Sequence, residues 1–305
     1  MKMRTLHCND KDVFLCKSGV YEISKLSEGG TANLFKGKCL SDNNKLVTFK
    51  ILKKELAEHE KTRKQFFKEC KLLSIIKHPH IPKLIEYGQS SDSYYIAYEY
   101  IDGISTLELL QFSYRHKHGV APPIAAHLLR SLLSILRYLH TFAKHPIVHG
   151  DISPDNLLFS PKGEVHLLDF GCIQQIKTGE SKYSPWLGKP SYLSPEQAKA
   201  LPWDHRSDVY QAGVIFYELL TGQKYISGKT SRDCVLIAAN PPKKDFSKVL
   251  PGMNQKLYNI LGKFLASNIN ERYQSADEAY TDLSENCPKD VQVGILNRAG
   301  VRQHT

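Results

Sequence analysis

The sequence predicts an α+β chain in two lobes, a small antiparallel β-sheet lobe with one long helix, then a larger, mainly helical lobe. Three observations carry that expectation. Strand-like runs joined by polar turns fill residues 21–52, apolar residues recur at helical spacing over about Glu58 to Lys77, and after Asp102-Gly103 the pattern turns helical. At 305 residues the chain also exceeds one ordinary core.

Residues 1–20 mix polar and apolar side chains without a clear period and read as an N-terminal extension. From Tyr21 the pattern changes. Tyr21, Ile23 and Leu26 lead into Ser27-Glu28-Gly29-Gly30-Thr31-Ala32-Asn33, then Leu34 to Lys38 and, past a turn at Ser41 to Asn44, Lys45 to Leu52. Three strands on short turns make an antiparallel meander. Small residues in the first turn would let backbone amides approach an anion, although two adjacent glycines alone fit an ordinary hairpin. In the helix that follows, Phe66, Cys70, Leu73 and Ile76 form an apolar stripe, and Glu69 falls on or beside it. A carboxylate there is costly unless paired, and Lys50 on the preceding strand is the natural cation.

His78-Pro79-His80-Ile81-Pro82 stops that helix, and strands are expected over Lys83 to Tyr87 and Tyr94 to Tyr100. In the second lobe, Pro122-Pro123 opens a helix with apolar positions from Ile124 to Leu139. Short strands follow at Asn156 to Phe159 and Val165 to Leu168, then a buried helix at Val209 to Leu220. Ser275-Ala276-Asp277-Glu278 has the spacing of a capping box and opens the last helix. The expected boundaries are an extension at 1–20, lobes at 21–101 and 102–285, and a basic tail at 286–305.

Composition narrows the function class. Hydrophobic content of 41% and charged content of 24% are those of a soluble globular protein. No apolar run approaches the ~20 residues of a membrane span, and no signal-peptide core follows Met1, so a cytoplasmic protein is expected; export without a cleavable signal would leave no such mark. Seven scattered cysteines without a Cys-x-x-Cys pair argue against a disulfide framework and a zinc site. The net charge of +10 is spread along the chain with no nucleic-acid motif, so no nucleic-acid partner is expected.

The chemistry gathers at His149-Gly150-Asp151-Ile152-Ser153-Pro154-Asp155-Asn156 and at Asp169-Phe170-Gly171. Asp151 can orient a hydroxyl, Asn156 and Asp169 offer hard oxygen ligands for magnesium, and Lys50 held by Glu69 can reach phosphates. That set is what metal-assisted phosphoryl transfer requires.

With these residues in this order, the sequence resembles the eukaryotic-type (Hanks-type) protein kinase superfamily over roughly Tyr21 to Leu283, and within it bacterial Ser/Thr protein kinases most. The resemblance implies the bilobed protein kinase fold and an ATP-dependent enzyme that phosphorylates Ser or Thr of proteins, itself included. It implies a catalytic set of Asp151, Lys50, Glu69 and Asn156. It also implies nucleotide contacts from Leu26, Ser27, Gly29, Gly30, Ala32, Leu34, Thr48, Lys50, Glu99, Ile101, Leu158 and Asp169, with Tyr98 as gatekeeper. The implied metal is Mg2+, with Mn2+ as an alternative, on Asn156 and Asp169. Leu73, Leu84, His149 and Phe170 would form an apolar spine. Ser194-Pro195-Glu196 resembles the family's Ala-Pro-Glu, with Arg272 as the expected partner of Glu196.

Departures from the family pattern sharpen the reading. Ser27 and Ala32 stand where the loop's first and third glycines are expected. Gly150 replaces the arginine that would hold an activation-loop phosphate, so modification of Thr178, Ser181, Tyr183 or Ser184 is not the expected main switch, and control by a dimer or regulatory partner is left open. Ser153 stands where Ser/Thr kinases usually carry Lys, and Lys189 stands where they carry Thr. A swap is therefore expected, in which Lys189 supplies the cation and Ser153 the hydroxyl; the plainer alternative is a substrate-docking or solvent-facing Lys189. Cys172 reads as a small buried residue rather than a redox-sensitive thiol. A non-catalytic scaffold and a small-molecule kinase are the alternative functions on the same fold. Retention of the five polar residues weighs against the first, and the complete segment from Asp169 to Glu196 against the second.

Overall fold

The computed structural model describes residues 6–8, 11–42, 45–90, 93–142, 146–175 and 188–287. The chain divides into two compact units between Ile101 and Asp102.

The first unit is built on an antiparallel sheet. Its strands are β1 (Leu6–Cys8), β2 (Lys11–Cys16), β3 (Gly19–Glu28), β4 (Ala32–Cys39), β5 (Leu46–Leu52), β6 (Leu84–Ser90) and β7 (Ser93–Glu99), in the order β1-β2-β3-β4-β5-β7-β6. Between β5 and β6 lie α1 (Lys54–Ala57) and α2 (Glu60–Ile75). The helix expected over about Glu58 to Lys77 is α2, preceded by the short α1, which the sequence reading did not foresee; His59, in an extended conformation (φ −79°, ψ 117°), separates the two. β1 and β2 show that the expected N-terminal extension at 1–20 carries strands, which its lack of a clear period did not foresee. Phe14 on β2 stacks with Phe49 and Tyr95 at centroid distances of 4.8 and 5.2 Å, so this strand contributes to the core. A buried aromatic of this kind stabilises by about 1.5–3 kcal/mol.

The second unit begins with β8 (Ile104–Ser105), α3 (Thr106–His116) and α4 (Pro122–His140). Ser105 and Glu108 cap α3 reciprocally. The short strands β9 (Ile147–Val148), β10 (Leu157–Phe159), β11 (Val165–Leu167) and β12 (Gln174–Gln175) pair as β11-β10-β8 and β12-β9. These ladders fix the chain on both sides of residues 149–156. Then come α5 (Pro195–Ala198), α6 (His205–Thr221), α7 (Ser231–Ala239), α8 (Phe246–Val249), α9 (Gln255–Phe264) and α10 (Ala276–Asn286). α6 is the hub: from Ser207 to Thr221 every residue is buried, and α4 and α9 pack on it. Its buried polar residues, Asp208, Gln211 and Glu218, therefore need partners.

The start of α10 differs slightly from the expected capping box. Ser275 accepts the Glu278 amide, but the Glu278 carboxylate takes the amide of Gln274 and the ammonium of Lys263 instead of closing the box on Ser275. Among the described residues no helix is long and apolar enough to cross a membrane.

Glu196 and Arg272, paired in the sequence reading, form a buried bidentate ion pair at 2.8 and 3.0 Å. Ser207 donates to the same carboxylate, and Arg272 also reaches the carbonyls of Ala266 and Arg206. Burial alone would raise the Glu196 carboxyl, but the Arg272 hydrogen bonds and charge outweigh it and hold the group below its ordinary value. A carboxyl that stays ionised in the folded chain where the unfolded chain would take a proton confers stability at neutral pH. That stability is lost as pH falls below about 4.5 and through the lower folded value. Glu196→Gln is expected to be less stable at neutral pH and to lose less stability than wild type on acidification to about pH 3, as read by thermal melts across that range.

Candidate functional site

In the first unit, Lys50 on β5 and Glu69 on α2 meet. The Lys50 ammonium donates to both carboxylate oxygens at 2.8 and 2.9 Å, with the two residues 6% and 3% exposed. Leaving either charge unpaired at that depth costs several kcal/mol, so the pair fixes the strand against the helix. Tyr98, pairing with Thr48 across the sheet, is buried with Phe66, Cys70 and Ile96. Glu99 ends β7 exposed, its amide donating to Lys83, and Ile101 is half-buried.

The turn from Gly29 to Thr31 joins β3 and β4 next to an irregularity in register between Lys25 and Ser27. Leu26, Ser27 and the turn are exposed, Leu34 is half-buried and Ala32 is buried. A side chain at Gly29 would meet the Ala32 carbonyl at 2.7 Å, whereas Gly30 has open space around it. The Gly29 amide closes the turn on that carbonyl at 3.0 Å, so this backbone donor is already engaged. Glu28 beside it is drawn below its ordinary value by hydrogen bonds from Lys25 and Lys53.

In the second unit, the loop from His149 to Asn156 is held from beneath by α6. Asp208 accepts the amides of His149 and Gly150 at 2.9 and 2.8 Å and the His140 ring nitrogen at 2.9 Å. Gln211 accepts the Ile152 amide, and Gln197 and Gln211 both donate to the Gly150 carbonyl. Each backbone group so paired avoids the cost of a buried unsatisfied polar atom.

Gly150 has φ +77°, and a Cβ there would come 2.9 Å from the Trp203 ring. The position that carries the family's arginine is thus closed by Trp203 and needs a residue without a side chain. Gly150→Ala is expected to cost about 1–3 kcal/mol of stability, measured by denaturant unfolding; an unchanged midpoint would contradict this reading of the turn.

Asp151 sits at the centre of the loop. Its Oδ1 accepts the Lys189 amide at 3.1 Å, and its carbonyl and Oδ2 accept Nδ2 of Asn156 at 2.9 and 3.3 Å. Burial pushes its carboxyl up and Asp169 adds to this, while His149 and Lys189 act the other way. A raised carboxylate is a better proton acceptor. The close approach of the 188–189 backbone depends on Gly188, at φ +113°, where a Cβ would lie 2.9 Å from Asp151 Oδ1.

The Lys189 ammonium donates to Ser153 Oγ at 3.1 Å and pairs with Asp155 at 2.5 Å. The structure thus brings Lys189 and Ser153 together and adds Asp155, which sequence reasoning passed over. Its only signal was its place between Ser153 and Asn156.

Asn156 and Asp169 offer a hard-oxygen set. With Nδ2 of Asn156 committed to Asp151, its amide oxygen is the end left for a cation. Asp169 lies at φ +54°, and its Oδ1 accepts the Gly171 amide. One amide oxygen and one carboxylate suit Mg2+ arriving with phosphates; they are too few for an all-protein cage. Among the described residues, no group of three or more His, Cys, Asp or Glu could hold a metal. Leu158 on β10 is half-buried, and Phe170 packs on His149 at 5.1 Å between ring centroids. Cys172 is half-buried, correcting its reading as a buried thiol. Thr178, Ser181, Tyr183 and Ser184 lie outside the described residues.

Other residues missed from sequence are Gln197, Gln211, Trp203 and Glu218; Asp208 is legible only as part of Ser207-Asp208-Val209-Tyr210, which resembles the start of the family's buried helix beneath this loop. Burial raises the Glu218 carboxyl despite the hydrogen bonds donated by Tyr114 and Tyr192 at 2.6 and 2.7 Å.

The protein kinase domain family matches residues 21–282. The serine/threonine-protein kinase PrkC of Bacillus subtilis is 29% identical over 268 residues, 87% of this chain and 40% of the relative. The tyrosine-protein kinase MasK of Myxococcus xanthus is 30% identical over 276 residues, 86% of this chain and 42% of the relative. The serine/threonine-protein kinase PknB of Mycolicibacterium smegmatis is 30% identical over 252 residues, 78% of this chain and 38% of the relative. The chain spans about two fifths of the length of these relatives.

Proposed function

The chain belongs to the protein kinase family, and on that premise we propose that it transfers the γ-phosphate of ATP to serine or threonine hydroxyls of proteins, its own included. The observation that carries this reading is Asp151, a carboxylate fixed by the Lys189 amide and the Asn156 side chain, with the Lys189 ammonium on the neighbouring Ser153 and Asp155. Asp151 orients the acceptor hydroxyl and receives its proton as the hydroxyl oxygen bonds the γ-phosphorus, while the bond from that phosphorus to the oxygen of the β-phosphate breaks and ADP leaves. Asn156 and Asp169 hold the divalent cation, Mg2+ or Mn2+, which when bound neutralises phosphate charge. Lys50, aimed by Glu69, positions the phosphates, and Lys189 places a positive charge beside the group in transfer.

The nucleotide contacts implied by the resemblance are, in the first unit, the exposed turn at Gly29 to Thr31, Leu34, Thr48, Glu99 and Ile101 and, in the second, Leu158 and Asp169. The names of PrkC and PknB support serine or threonine as acceptor, whereas MasK is named a tyrosine kinase. Scattered thiols support a reducing, cytoplasmic setting. Gly150 in the arginine's position supports control by a dimer or regulatory partner over control by a loop phosphate.

Phosphoamino-acid analysis after incubation with γ-labelled ATP, Mg2+ and a general protein acceptor tests the reading. Label on serine and threonine is expected. Label on tyrosine alone would reassign the acceptor, and none with either Mg2+ or Mn2+ would favour a binding role.

A further inference from the structure

A groove of about 540 Å³ opens on the second unit between the end of α6 and α7. Its lining includes Lys224, Ser227, Leu236, Asn240, Pro242 and Lys244. Two features make it unlike ordinary surface. Leu236 is 63% exposed, the highest value among the large hydrophobic residues left exposed, and it lies on the groove. The charge around the rim is positive: Lys224 and Lys244 line the groove, and residues 224–248 carry six lysines and arginines against two carboxylates, Asp233 and Asp245.

The groove is also tied to the site. Ser191, two residues after Lys189, donates to Cys234 on α7 at 3.4 Å. Glu218 joins the Tyr192 hydroxyl to the amide of Tyr225, a residue that borders the groove. The loop whose Lys189 amide rests on Asp151 is thus braced by α7, which borders the groove, and through Glu218 by Tyr225, one of its lining residues.

Resting on the kinase reading, we propose that this groove docks an acidic segment carrying aliphatic residues, on protein substrates, at a distance from the acceptor hydroxyl. Carboxylates of the segment pair with Lys224 and Lys244, and its aliphatic side chains cover Leu236 and Pro242. An exposed leucine and a proline at the centre of a cationic rim match a segment with aliphatic side chains, which a phosphate backbone does not supply. Docking raises the effective concentration of the acceptor without new contacts at Asp151.

The test uses two peptides with the same serine acceptor, one joined through a flexible Gly-Ser linker to a segment of two leucines flanked by glutamates. Wild type is expected to phosphorylate the joined peptide with a kcat/KM about tenfold higher or more. The gain should vanish in Lys224→Glu/Lys244→Glu and, independently, in Leu236→Ser, with turnover of the short peptide unchanged in both. The fluorescein-labelled segment alone should bind Asp151→Asn protein and not the groove variants. Equal kcat/KM for the two peptides would overturn the groove while leaving the kinase reading intact. A leucine-free glutamate segment or an oligonucleotide binding as tightly would overturn it as well, as a general polyanion site. Binding of the segment with no phosphorylation of either peptide would uphold the groove and refute the kinase reading.

Discussion

Asp151→Asn is expected to lower kcat about 10²- to 10⁴-fold, the contribution typical of a positioned general base, with nucleotide affinity little changed. The amide keeps the shape of the carboxylate, and its oxygen can still accept the Lys189 amide now 3.1 Å away. What is lost is the proton acceptor. The second position turns from an oxygen into an NH2 group facing Nδ2 of Asn156, but that contact is the longer of the two at 3.3 Å, and the 2.9 Å bond to the Asp151 carbonyl remains. The loop is held mainly through Asp208, Gln197 and Gln211, none of which touches the Asp151 side chain. Stopped-flow nucleotide binding and steady-state turnover on the same preparation separate loss of chemistry from loss of fold.

Lys189→Ala is expected to lower kcat about 10²- to 10³-fold and to leave the KM for ATP close to wild type. Its stability should change little. Lys189 and Asp155 are each 39% exposed in their side chains, and an ion pair so exposed stabilises by about 1 kcal/mol or less. Turnover and stability therefore respond differently, and that contrast separates a charge serving the transferring group from a merely structural contact. A Lys189→Ala enzyme with a near-normal rate would return Lys189 to a surface role. Lys189→Arg keeps the charge on a side chain of similar reach and is expected to recover part of the rate.

Much of the fold is legible in the sequence because its signals are local. The α2 stripe, the meander after Tyr21 and the proline-opened α4 follow from periodicity and turn chemistry. The Lys50–Glu69 pair is legible for a physical reason: a carboxylate on an apolar helix face demands a cation, and Lys50 lies on the strand that feeds this helix. β2 escaped because Val13, Phe14, Leu15 and Cys16 are apolar on both faces, which erases the alternation that marks a half-buried strand.

The braces of the loop from His149 to Asn156 escaped for another reason. Asp208, Gln197 and Gln211 reach it across 47 to 61 residues, and a glutamine in an apolar helix gives no sign of which backbone group it will satisfy. Asking what partner the buried Asp208 carboxylate required would have pointed to that loop. Asp155 became visible only when folding brought Lys189 beside it.

Mass spectrometry of a defined mixture of proteins, incubated with ATP and Mg2+ and either wild type or Asp151→Asn, tests the transfer chemistry most directly. Phosphoserine and phosphothreonine sites should accumulate with wild type, on the chain itself as well as on the acceptors, and should be absent with Asp151→Asn. The same sites appearing at the same rate with both proteins would contradict the role of Asp151, and no sites with either would contradict the proposed activity.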